Sequence, residues 1–476
     1  MADLHKPDLC IIGAGALGLT LALRAREAGL SVALVDLGTP VPGDSPQGAM
    51  QRAAFIASAN RAEAIRSAAA LGIPTAEPKP NFRAIGERAA ALAADMAPET
   101  TPERLAALGV IKLEGPASFI GRKGLKVGEA QVAARHFVLA TGARPLLPDL
   151  PGLDAVAYFT PDTILDNMRK LSHLLVLGGT PEAMELAQAY ARLGAEVTLV
   201  PQGPLLAGFD RELVAMLLTS LVDEGVRILD GASVTAIQPR SQGTGITLQH
   251  ADGTPGTLDI SHLLVAMGHV PEHDAALLAQ ARLRADRAHP GLIQLGPDGR
   301  SSNPQISAIG GAAGIHDPAQ AQSQLQALLL RLLGQPEPNS AAWGGPRTIR
   351  TSPPLAQTGM VQTGAALRPG QGVRRANLAE SIAARATGRP LGTASLIVDA
   401  KGTILGGAML GDGAETVVAA IAMTMARRGA AADLADLALP PDSPASVLID
   451  IGWQDRAGRK PTGLAALRAR LSQLRR

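Results

Sequence analysis

The chain has 476 residues, of which 46% are hydrophobic and 18% charged, a balance typical of a globular protein rather than a disordered one. The formal net charge is +2 and only 2% of the residues are aromatic, so nucleic acid is not expected as a partner. A chain of this length predicts about two to four domains.

The first apolar segment, 9–23, is interrupted by glycines and stops at Arg24, so it is too short to span a membrane. The start of the chain lacks a basic stretch followed by an apolar core, so no signal peptide is expected. The single cysteine, Cys10, lies in the apolar run "LCII" and is expected to be a buried strand residue. One cysteine forms no intrachain disulfide and favours a reducing compartment, most simply the cytoplasm.

In chain order, the first predicted unit is a strand, a glycine turn, a helix and a second strand, "SVALV". Gly13 permits the tight turn, Gly15 lets the backbone approach a pyrophosphate, and Gly18 allows close helix–strand packing. The helix N-terminus offers unpaired N–H groups to the phosphates. Asp36 follows Gly13 by 23 residues and can accept hydrogen bonds from ribose hydroxyls. The unit predicts a dinucleotide site, and a purely structural glycine turn is the alternative.

A second copy of this pattern occupies 178–201 and has the same length, 24 residues, as the first copy at 13–36. The strand ends are repeated too: "HFVLATGARP" at 136–145 matches "HLLVAMGHVP" at 262–271. Two strand–helix–strand units predict the α/β class with two doubly wound, Rossmann-like parallel sheets.

The glycine turn of the second copy departs from the usual spacing. Gly178 remains, but Thr180 takes the second glycine position and Ala183 the third. Pro201 occupies the place of the ribose carboxylate, so a preference for NADH or NADPH cannot be derived. A nicotinamide nucleotide is expected at Gly178, Gly179 and Thr180, and a retained fold with a weakened site is the alternative.

Beyond residue 346 the pattern changes to strands such as "ASLIVDA" and "GTILGGAML" and a helix from about 413 to 428. This pattern predicts a separate α+β domain. From Arg456 the chain is basic, with leucines at helical spacing. A solvated terminal helix is expected there, and a helix that binds a membrane or a partner is the alternative.

The two Rossmann units, the strand ends "ATGARP" and "AMGHVP", the stretch "SSNPQISAIGG" and the C-terminal α+β domain resemble the pyridine nucleotide–disulfide oxidoreductases. Dihydrolipoamide dehydrogenases and mercuric reductases are the members most similar in layout, and the resemblance covers about 7–455. It implies FAD on the first unit, NAD(P)H on the second and a homodimer. The implied boundaries are an FAD-binding domain at 1–150 and 273–340, an NAD(P)-binding domain at 151–272, a dimerisation domain at 346–455 and a basic helix or tail at 456–476.

The resemblance also assigns residues around the flavin. Positions that wrap or border FAD in the family are matched by Thr141, Gly142, Ser302, Asn303 and Gly310. The family has an Asp after the last of these glycines, which holds the ribityl chain, but this chain has Gly311. FAD is therefore expected to bind more weakly or in a shifted pose.

The redox-active thiols of the family are missing here. The family carries a Cys-x4-Cys pair beside the flavin, and Asp44 and Ala49 stand at those positions. The family's C-terminal domain supplies a His and a Glu as general base, and Pro440 and Ala445 replace them. Reduction of disulfides or mercuric ion by the family's mechanism is therefore not expected.

The other half of the family's chemistry has matching residues. Family members pair a Glu of the NAD-domain helix with a Lys beside flavin N5. Glu185 matches that Glu, and Arg52 lies near the Lys position if a one-residue gap is allowed. An ion pair there would orient the flavin–nicotinamide contact. An exposed helix position for Glu185 and a non-functional one for Arg52 are the alternatives.

Histidines and a predicted helix start complete the candidates. Asp317 and Pro318 have the residue types of an N-cap and a first helical position. His316 is either a catalytic acid or an ordinary loop histidine. His269 and His273 are four residues apart, but no further Cys or His is near them in sequence, so no metal site is expected.

The sequence thus predicts an FAD-dependent oxidoreductase that takes hydride from NAD(P)H and passes electrons to a small non-thiol acceptor. A quinone is the simplest choice, since members of the family without the cysteine pair act as quinone reductases. The alternative is a degenerate dimer that serves as a binding or regulatory scaffold.

Overall fold

The computed structural model describes residues 4–38, 46–96, 101–121, 123–272, 279–287, 292–296, 299–337 and 345–458. The chain divides into two compact units. The first comprises the residues up to Ala207 together with Leu218–Thr351, and the second Gly208–Leu217 together with the residues from Ser352 on. No helix in these described ranges combines the length and the apolar character needed to cross a membrane.

The α-helices are α1 (Ala16–Glu27), α2 (Pro46–Arg66), α3 (Phe82–Ala94), α4 (Pro102–Ala107), α5 (Pro181–Arg192), α6 (Arg211–Asp223), α7 (Pro318–Leu332), α8 (Ile382–Ala386), α9 (Ala414–Ala426) and α10 (Val447–Gly458). The strands are β1 (Leu4–His5), β2 (Leu9–Ile12), β3 (Val32–Asp36), β4 (Val110–Glu114), β5 (Ala117–Ile120), β6 (Gly124–Val127), β7 (Ala130–Val132), β8 (His136–Leu139), β9 (Ala143–Pro145), β10 (His173–Leu177), β11 (Glu196–Val200), β12 (Val226–Ile228), β13 (Ser233–Pro239), β14 (Thr244–Gln249), β15 (Pro255–Ile260), β16 (His262–Val265), β17 (His269–Pro271), β18 (Ile306–Ala308), β19 (Arg347–Ile349), β20 (Leu355–Gly359), β21 (Gly372–Asn377), β22 (Thr393–Val398) and β23 (Ile404–Leu410).

The first nucleotide-binding unit is built on a parallel sheet of order β18-β8-β2-β3-β4. All four residues of β2 are buried, which explains why its sequence is continuously apolar rather than alternating. Alternate residues enter two different core clusters, Cys10 and Ile12 on one face and Leu9 and Ile11 on the other. The prediction that Cys10 is a buried strand residue is confirmed.

The second unit repeats this plan with a parallel sheet of order β12-β11-β10-β16, and α5 connects β10 to β11. Gly29 and Gly194 lie just after the last turns of α1 and α5, each with φ of +87°. Only glycine adopts this left-handed conformation without strain, so the chain can turn at once into the next strand. The predicted α/β class with two parallel sheets is confirmed.

The remaining sheets are antiparallel except for the parallel pair β1–β7. The first compact unit also contains the sheet β13-β14-β15, the group β1-β7-β6-β5 and the pair β9–β17. In the second compact unit the antiparallel order β20-β23-β22-β21 packs against α9. This is the predicted α+β domain, and the helix expected at 413–428 runs over Ala414–Ala426. The predicted basic helix begins at Arg456, and its residues from 459 on lie outside the described part of the chain.

Candidate functional site

The candidate site is a pocket of about 290 Å³ at the carboxyl edge of the first parallel sheet. The chain turns away from β2, β8 and β18 there, and the carboxyl ends of parallel strands meet at one edge where such folds bind ligands. Gly142 and Gly310, two of the residues predicted to border FAD, line this pocket, and Thr141 lies in the same turn as Gly142. Both glycines have positive φ, +77° and +60°, which other residues rarely adopt.

The first glycine loop has the geometry expected for a dinucleotide site. Gly13 has φ of +115°, and a side chain there would collide with the carbonyl oxygen of Ala140. A side chain at Gly18 would collide with the carbonyl oxygen of Gly13. Gly15 is the N-cap of α1, has no side chain to accept the first N–H groups, and is followed by no acidic residue in the first turn. The positive helix end is therefore suited to a pyrophosphate.

Asp36 ends β3, as predicted, but its carboxylate already has neighbours. Oδ2 lies 3.2 Å from Lys112 Nζ, and Oδ1 accepts a hydrogen bond from Gly38 N at 3.1 Å. Each carboxylate oxygen has two lone pairs, so Asp36 retains acceptor capacity for ribose hydroxyls. These features fit an adenine dinucleotide such as FAD on α1.

The second glycine loop shares the backbone geometry of the first but not its polar groups. Gly178 has φ of +133°, and a side chain there would collide with the carbonyl oxygen of Ala266. Thr180 is the N-cap of α5: its hydroxyl accepts from Ala183 N at 3.2 Å and donates to Ala266 O at 3.1 Å. A side chain at Gly179 would lie 3.2 Å from Leu205 Cα. The loop therefore keeps its turn, and Thr180 satisfies an N–H group that Gly15 leaves open.

Ionisable side chains from separate segments converge in the pocket. Arg52 of α2 forms an ion pair and hydrogen bond with Glu182 of α5, and its Nη2 lies 3.6 Å from Asp162 Oδ1. His269 of β17 places Nδ1 3.6 Å from Glu182 Oε2 and Nε2 4.0 Å from Asp162 Oδ2. The ring of His316 lies 5.5 Å from that of His269, centroid to centroid. We call these five residues the pocket cluster.

The charges of the pocket cluster act on one another. Burial by itself would raise the pKa of Glu182, but attraction to Arg52 and to the two histidines lowers it overall. Burial by itself would lower the pKa of Arg52, but attraction to Glu182, Glu185 and Asp162 raises it overall. Burial and repulsion by His269 lower the pKa of His316. Arg52 and Glu182 are therefore a charged pair at neutral pH.

The predicted partner of Arg52 was wrong. Glu185 does not form the direct ion pair, which is made by Glu182 one turn earlier on the same helix, nearer its N-terminus. Glu185 is only 7% exposed and accepts a hydrogen bond from Arg350 N at 2.8 Å. Burial raises its pKa to about 7, although the Arg350 N–H and the charges of Arg350 and Arg52 oppose the shift. The expectation of a buried rather than exposed Glu185 is correct, and its influence on Arg52 is a longer-range attraction.

Gly311 has no room for the Asp that the family carries. A side chain there would lie 2.8 Å from Ala143 N and from the carbonyl carbon of Gly142. The family's hold on the ribityl chain is thus absent for a steric reason as well as a chemical one. Asp317 caps α7, since Oδ1 accepts from Ala319 N and Gln320 N at 3.0 Å each, and the predicted capping role is confirmed.

Other predicted positions lie elsewhere. Ser302 and Asn303 precede β18, at the amino edge of the sheet, and neither lines the pocket. Asn303 is buried there and its Oδ1 accepts from Gln305 N at 3.1 Å, so its side chain shapes a turn. Ala49, at the position of a family cysteine, does line the pocket.

Some sequence predictions cannot be placed or concern absences. Asp44 and His273 lie outside the described residues. Within the described ranges, no group of three or more His, Cys, Asp and Glu side chains is arranged to hold a metal ion. Pro440 and Ala445 lie in the second compact unit, where Ala445 N donates to Ser443 Oγ in a short turn.

The model of the pyridine nucleotide-disulphide oxidoreductase family matches residues 7–328, and the model of that family's dimerisation domain matches 345–442. The chain belongs to this family. Members of the family are FAD-dependent oxidoreductases that use NAD(P)H, and membership supports FAD as the cofactor of this chain. The glycine loop, the pocket and the uncapped N-terminus of α1 fit that cofactor.

Two curated relatives illustrate the similarity. A mercuric reductase from Streptomyces lividans is 31% identical over 309 residues, and a dihydrolipoyl dehydrogenase from Geobacillus stearothermophilus is 26% identical over 317 residues. The matches cover 64% of this chain and 65% of each relative, so the chain spans just under two thirds of their length. The HOCl-induced flavoprotein disulfide reductase RclA from Escherichia coli has the same fold, with a TM-score of 0.77 at 22% identity over 93% of this chain and 98% of that one.

Three members of the pocket cluster were not expected as parts of a site: Asp162, Glu182 and His269. Two of them carried a signal. Glu182 lies three residues before Glu185 and so shares its helix face. His269 lies within "AMGHVP", which repeats "ATGARP", so the repeat places it just after the carboxyl end of β16, and β17 pairs there with β9 next to Gly142. Asp162 carried no signal in the sequence.

Proposed function

We propose that this protein is an FAD-dependent NAD(P)H oxidoreductase that passes electrons to a non-thiol acceptor, most simply a quinone. One observation carries the proposal: the pocket wall holds charged residues and histidines but no thiol. The only cysteine of the chain, Cys10, is fully buried in β2, and burial raises its pKa to about 12. A thiol held protonated in this way is not a nucleophile at neutral pH.

Separate groups of residues in this chain would bind FAD and the nicotinamide nucleotide. Gly13, Gly15 and Gly18 would let the FAD pyrophosphate approach the N-terminus of α1, with Asp36 at the ribose. When bound, FAD accepts a hydride and returns its electrons to a second substrate. The N-terminus of α5 lies beside the same pocket, where Glu182 and Arg52 form one wall, so a nicotinamide nucleotide on the second glycine loop would reach it.

The acceptor is proposed to be small and flat. Ala49 lines the pocket with a methyl group where the family has a cysteine, so a planar oxidant would not meet a large side chain at that position. A quinone needs electrons and protons but no thiol, which agrees with the residues present. The matched dimerisation domain supports a homodimer as the working state.

A scaffold without catalysis is the second candidate, and the α5 N-terminus favours it. Glu182 places a carboxylate in the first turn of α5, where α1 has none, and Pro201 stands where a ribose carboxylate is expected. Both changes disfavour a bound dinucleotide. The crowding at Gly311 likewise removes a family contact to FAD.

Anaerobic reduction of the purified protein separates the two candidates. The proposal expects a yellow protein whose colour is bleached by NADH or NADPH and restored by a quinone such as a short-chain benzoquinone. Lipoamide and oxidised glutathione serve as thiol-dependent controls and should not restore the colour. A protein that stays colourless after incubation with FAD, or whose flavin neither nucleotide reduces, would support the scaffold. Disulfide turnover in the ordinary enzyme range of about 1–10³ per second would exclude the non-thiol proposal.

A further inference from the structure

The rings of His269 and His316 form part of the pocket wall, and neither residue belongs to one of the two glycine loops. His269 lies in β17, and His316 lies in the turn that precedes α7. Their ring centroids are 5.5 Å apart and their planes are inclined by 31°. Both line the pocket, and the side chain of His269 is only 13% exposed. At this separation a proton can pass between the two imidazoles through one intervening water.

Charges from several elements face this pair. The charged groups that line the pocket with this pair are Arg52 from α2, Asp162 from the turn before the second parallel sheet, Glu182 from α5, and Arg350 after β19, whose backbone N–H donates to the buried Glu185. Two of the carboxylates approach the two ring nitrogens of His269: Glu182 faces Nδ1 at 3.6 Å and Asp162 faces Nε2 at 4.0 Å. His269 thus lies between two carboxylates, one facing each ring nitrogen.

We propose that His269 and His316 are a proton-transfer pair that protonates the acceptor as it is reduced. This inference rests on the proposed function and extends it. It assigns to the pocket cluster the acid–base role that the residues at Pro440 and Ala445 cannot supply. Asp162, Glu182 and Arg52 are then positioning residues, because the two carboxylates face the ring nitrogens of His269 and Arg52 pairs with both carboxylates.

The stoichiometry of quinone reduction requires such a group. NAD(P)H, one proton and a quinone give NAD(P)⁺ and a hydroquinone. One C–H bond of the nicotinamide is broken, both of its electrons reach the quinone, and two O–H bonds form. The hydride brings one of the two protons, so the second comes from elsewhere. His316 or His269 would donate it to the quinone oxygen and recover a proton from solvent.

The two rings differ in a way that suits a relay. Burial and the neighbouring positive charge of His269 both lower the pKa of His316, while the charge of Glu182 opposes them. His316 therefore gives up a proton readily, and His269, which lies between two carboxylates, is placed to replace it. Repulsion between two imidazolium ions at 5.5 Å makes one shared proton more favourable than two.

The first test compares two acceptors in His269→Asn and His316→Asn, with His250→Asn as a control outside the pocket. Ferricyanide takes electrons without protons, and a benzoquinone takes both. After reduction by NAD(P)H, reoxidation by the quinone should slow about 100-fold in both pocket variants, the ordinary size of a general-acid effect, and reoxidation by ferricyanide should stay within about twofold of the unchanged protein. His250→Asn should match the unchanged protein with both. Equal slowing with both acceptors, or no slowing with the quinone, would overturn the relay.

A second measurement needs no turnover. Proton NMR of the purified protein follows the titration of the histidine ring protons, and His269→Asn should raise the pKa of His316, because the positive charge of His269 is one of the causes that lower it. A titration of His316 that is unaffected by His269→Asn, in a variant with unchanged flavin content, would show that the rings are not coupled and would overturn the pair. Failure of NAD(P)H to bleach the flavin is a different outcome, which concerns the proposed function and leaves this measurement valid.

Discussion

In both nucleotide-binding units the first glycine of the loop follows a buried parallel strand and lies against the carbonyl group of an alanine on the neighbouring strand's extension. Gly13 meets Ala140 and Gly178 meets Ala266, and both glycines have positive φ. The steric requirement for glycine at this position is therefore the same in both loops. What differs is the chemistry at the helix N-terminus that follows.

The N-terminus of α1 is left open and that of α5 is largely occupied. Gly15 has no side chain to cap α1, whereas Thr180 caps α5 and Pro181 has no N–H to donate. Glu182 then adds a carboxylate that binds Arg52 rather than a phosphate. The comparison indicates that one glycine loop is built to hold a dinucleotide tightly, and that the other has given part of its polar capacity to the pocket cluster.

The largest expected effect comes from closing the open loop. Gly15 has an ordinary φ of −69°, so Gly15→Val should fold, yet its side chain would stand where a pyrophosphate approaches. The variant should purify without flavin, as judged by the absorbance at the usual flavin maximum of about 450 nm. Thr180→Val is the matched change in the other loop and should retain the flavin. A yellow Gly15→Val protein would mean that the two loops do not differ as argued.

Two carboxylates of α5 should respond to pH with opposite signs. Glu185 has a pKa raised from 4.5 to about 7, so its ionisation destabilises the folded protein as pH rises through that window. Glu185→Gln should therefore be more stable than the unchanged protein at pH 8, by about 3 kcal/mol, with the gain vanishing near pH 4.5. Thermal unfolding between pH 5 and pH 8, followed by circular dichroism, measures the difference.

Glu182→Gln is the control for that experiment. The pKa of Glu182 is lowered, so its charge stabilises the fold above its unfolded value of 4.5, and this contribution is lost as pH falls through the lowered pKa. The variant should be less stable than the unchanged protein at neutral pH, and the deficit should shrink in acid. The same sign for both variants would contradict the assignment of the ion pair to Glu182.

A smaller effect is expected on the rate at which NAD(P)H reduces the flavin. Glu185→Ala should slow flavin bleaching by NAD(P)H about 10- to 100-fold, because loss of a buried carboxylate shifts the wall against which the nicotinamide is held. Photochemical reduction of the same protein needs no nucleotide and should keep its rate. Stopped-flow absorbance measures the first rate, and equal slowing of both would point to a damaged flavin site instead.

The smallest effect should come from making the second loop resemble the first. Thr180→Gly removes the cap of α5 at a cost of a few tenths of a kcal/mol, about the ordinary difference between Thr and Gly at an N-cap. It should strengthen NAD(P)H binding about two- to fivefold, since the Ala183 N–H group becomes available to the phosphates. Titration of nucleotide fluorescence gives the affinity. A weaker affinity would show that the Thr180 hydroxyl itself contacts the nucleotide.

The sequence was informative wherever the requirement is local. Glycines with positive φ, the Asp317 cap and the continuous apolar strands each follow from backbone sterics or burial within a few residues, and the structure has them as predicted. The internal repeat extended this to the topology, because two equal units imply two parallel sheets with ligand sites at their carboxyl edges. The missing thiols could also be read directly, since the chain has one cysteine.

Side-chain partners were decided only by the tertiary structure. Arg52 and Glu182 are 130 residues apart, and the choice between Glu182 and Glu185 depends on how far α5 is rotated and advanced relative to α2. The same holds for Asp162, which no pattern in the sequence connected to His269, and for Gly311, whose lack of room depends on the backbone at Gly142. Local sterics and periodicity determine which elements form and which edge carries the site. The identity of charged partners across that site depends on distances of one helical turn, and these are fixed only when the elements pack.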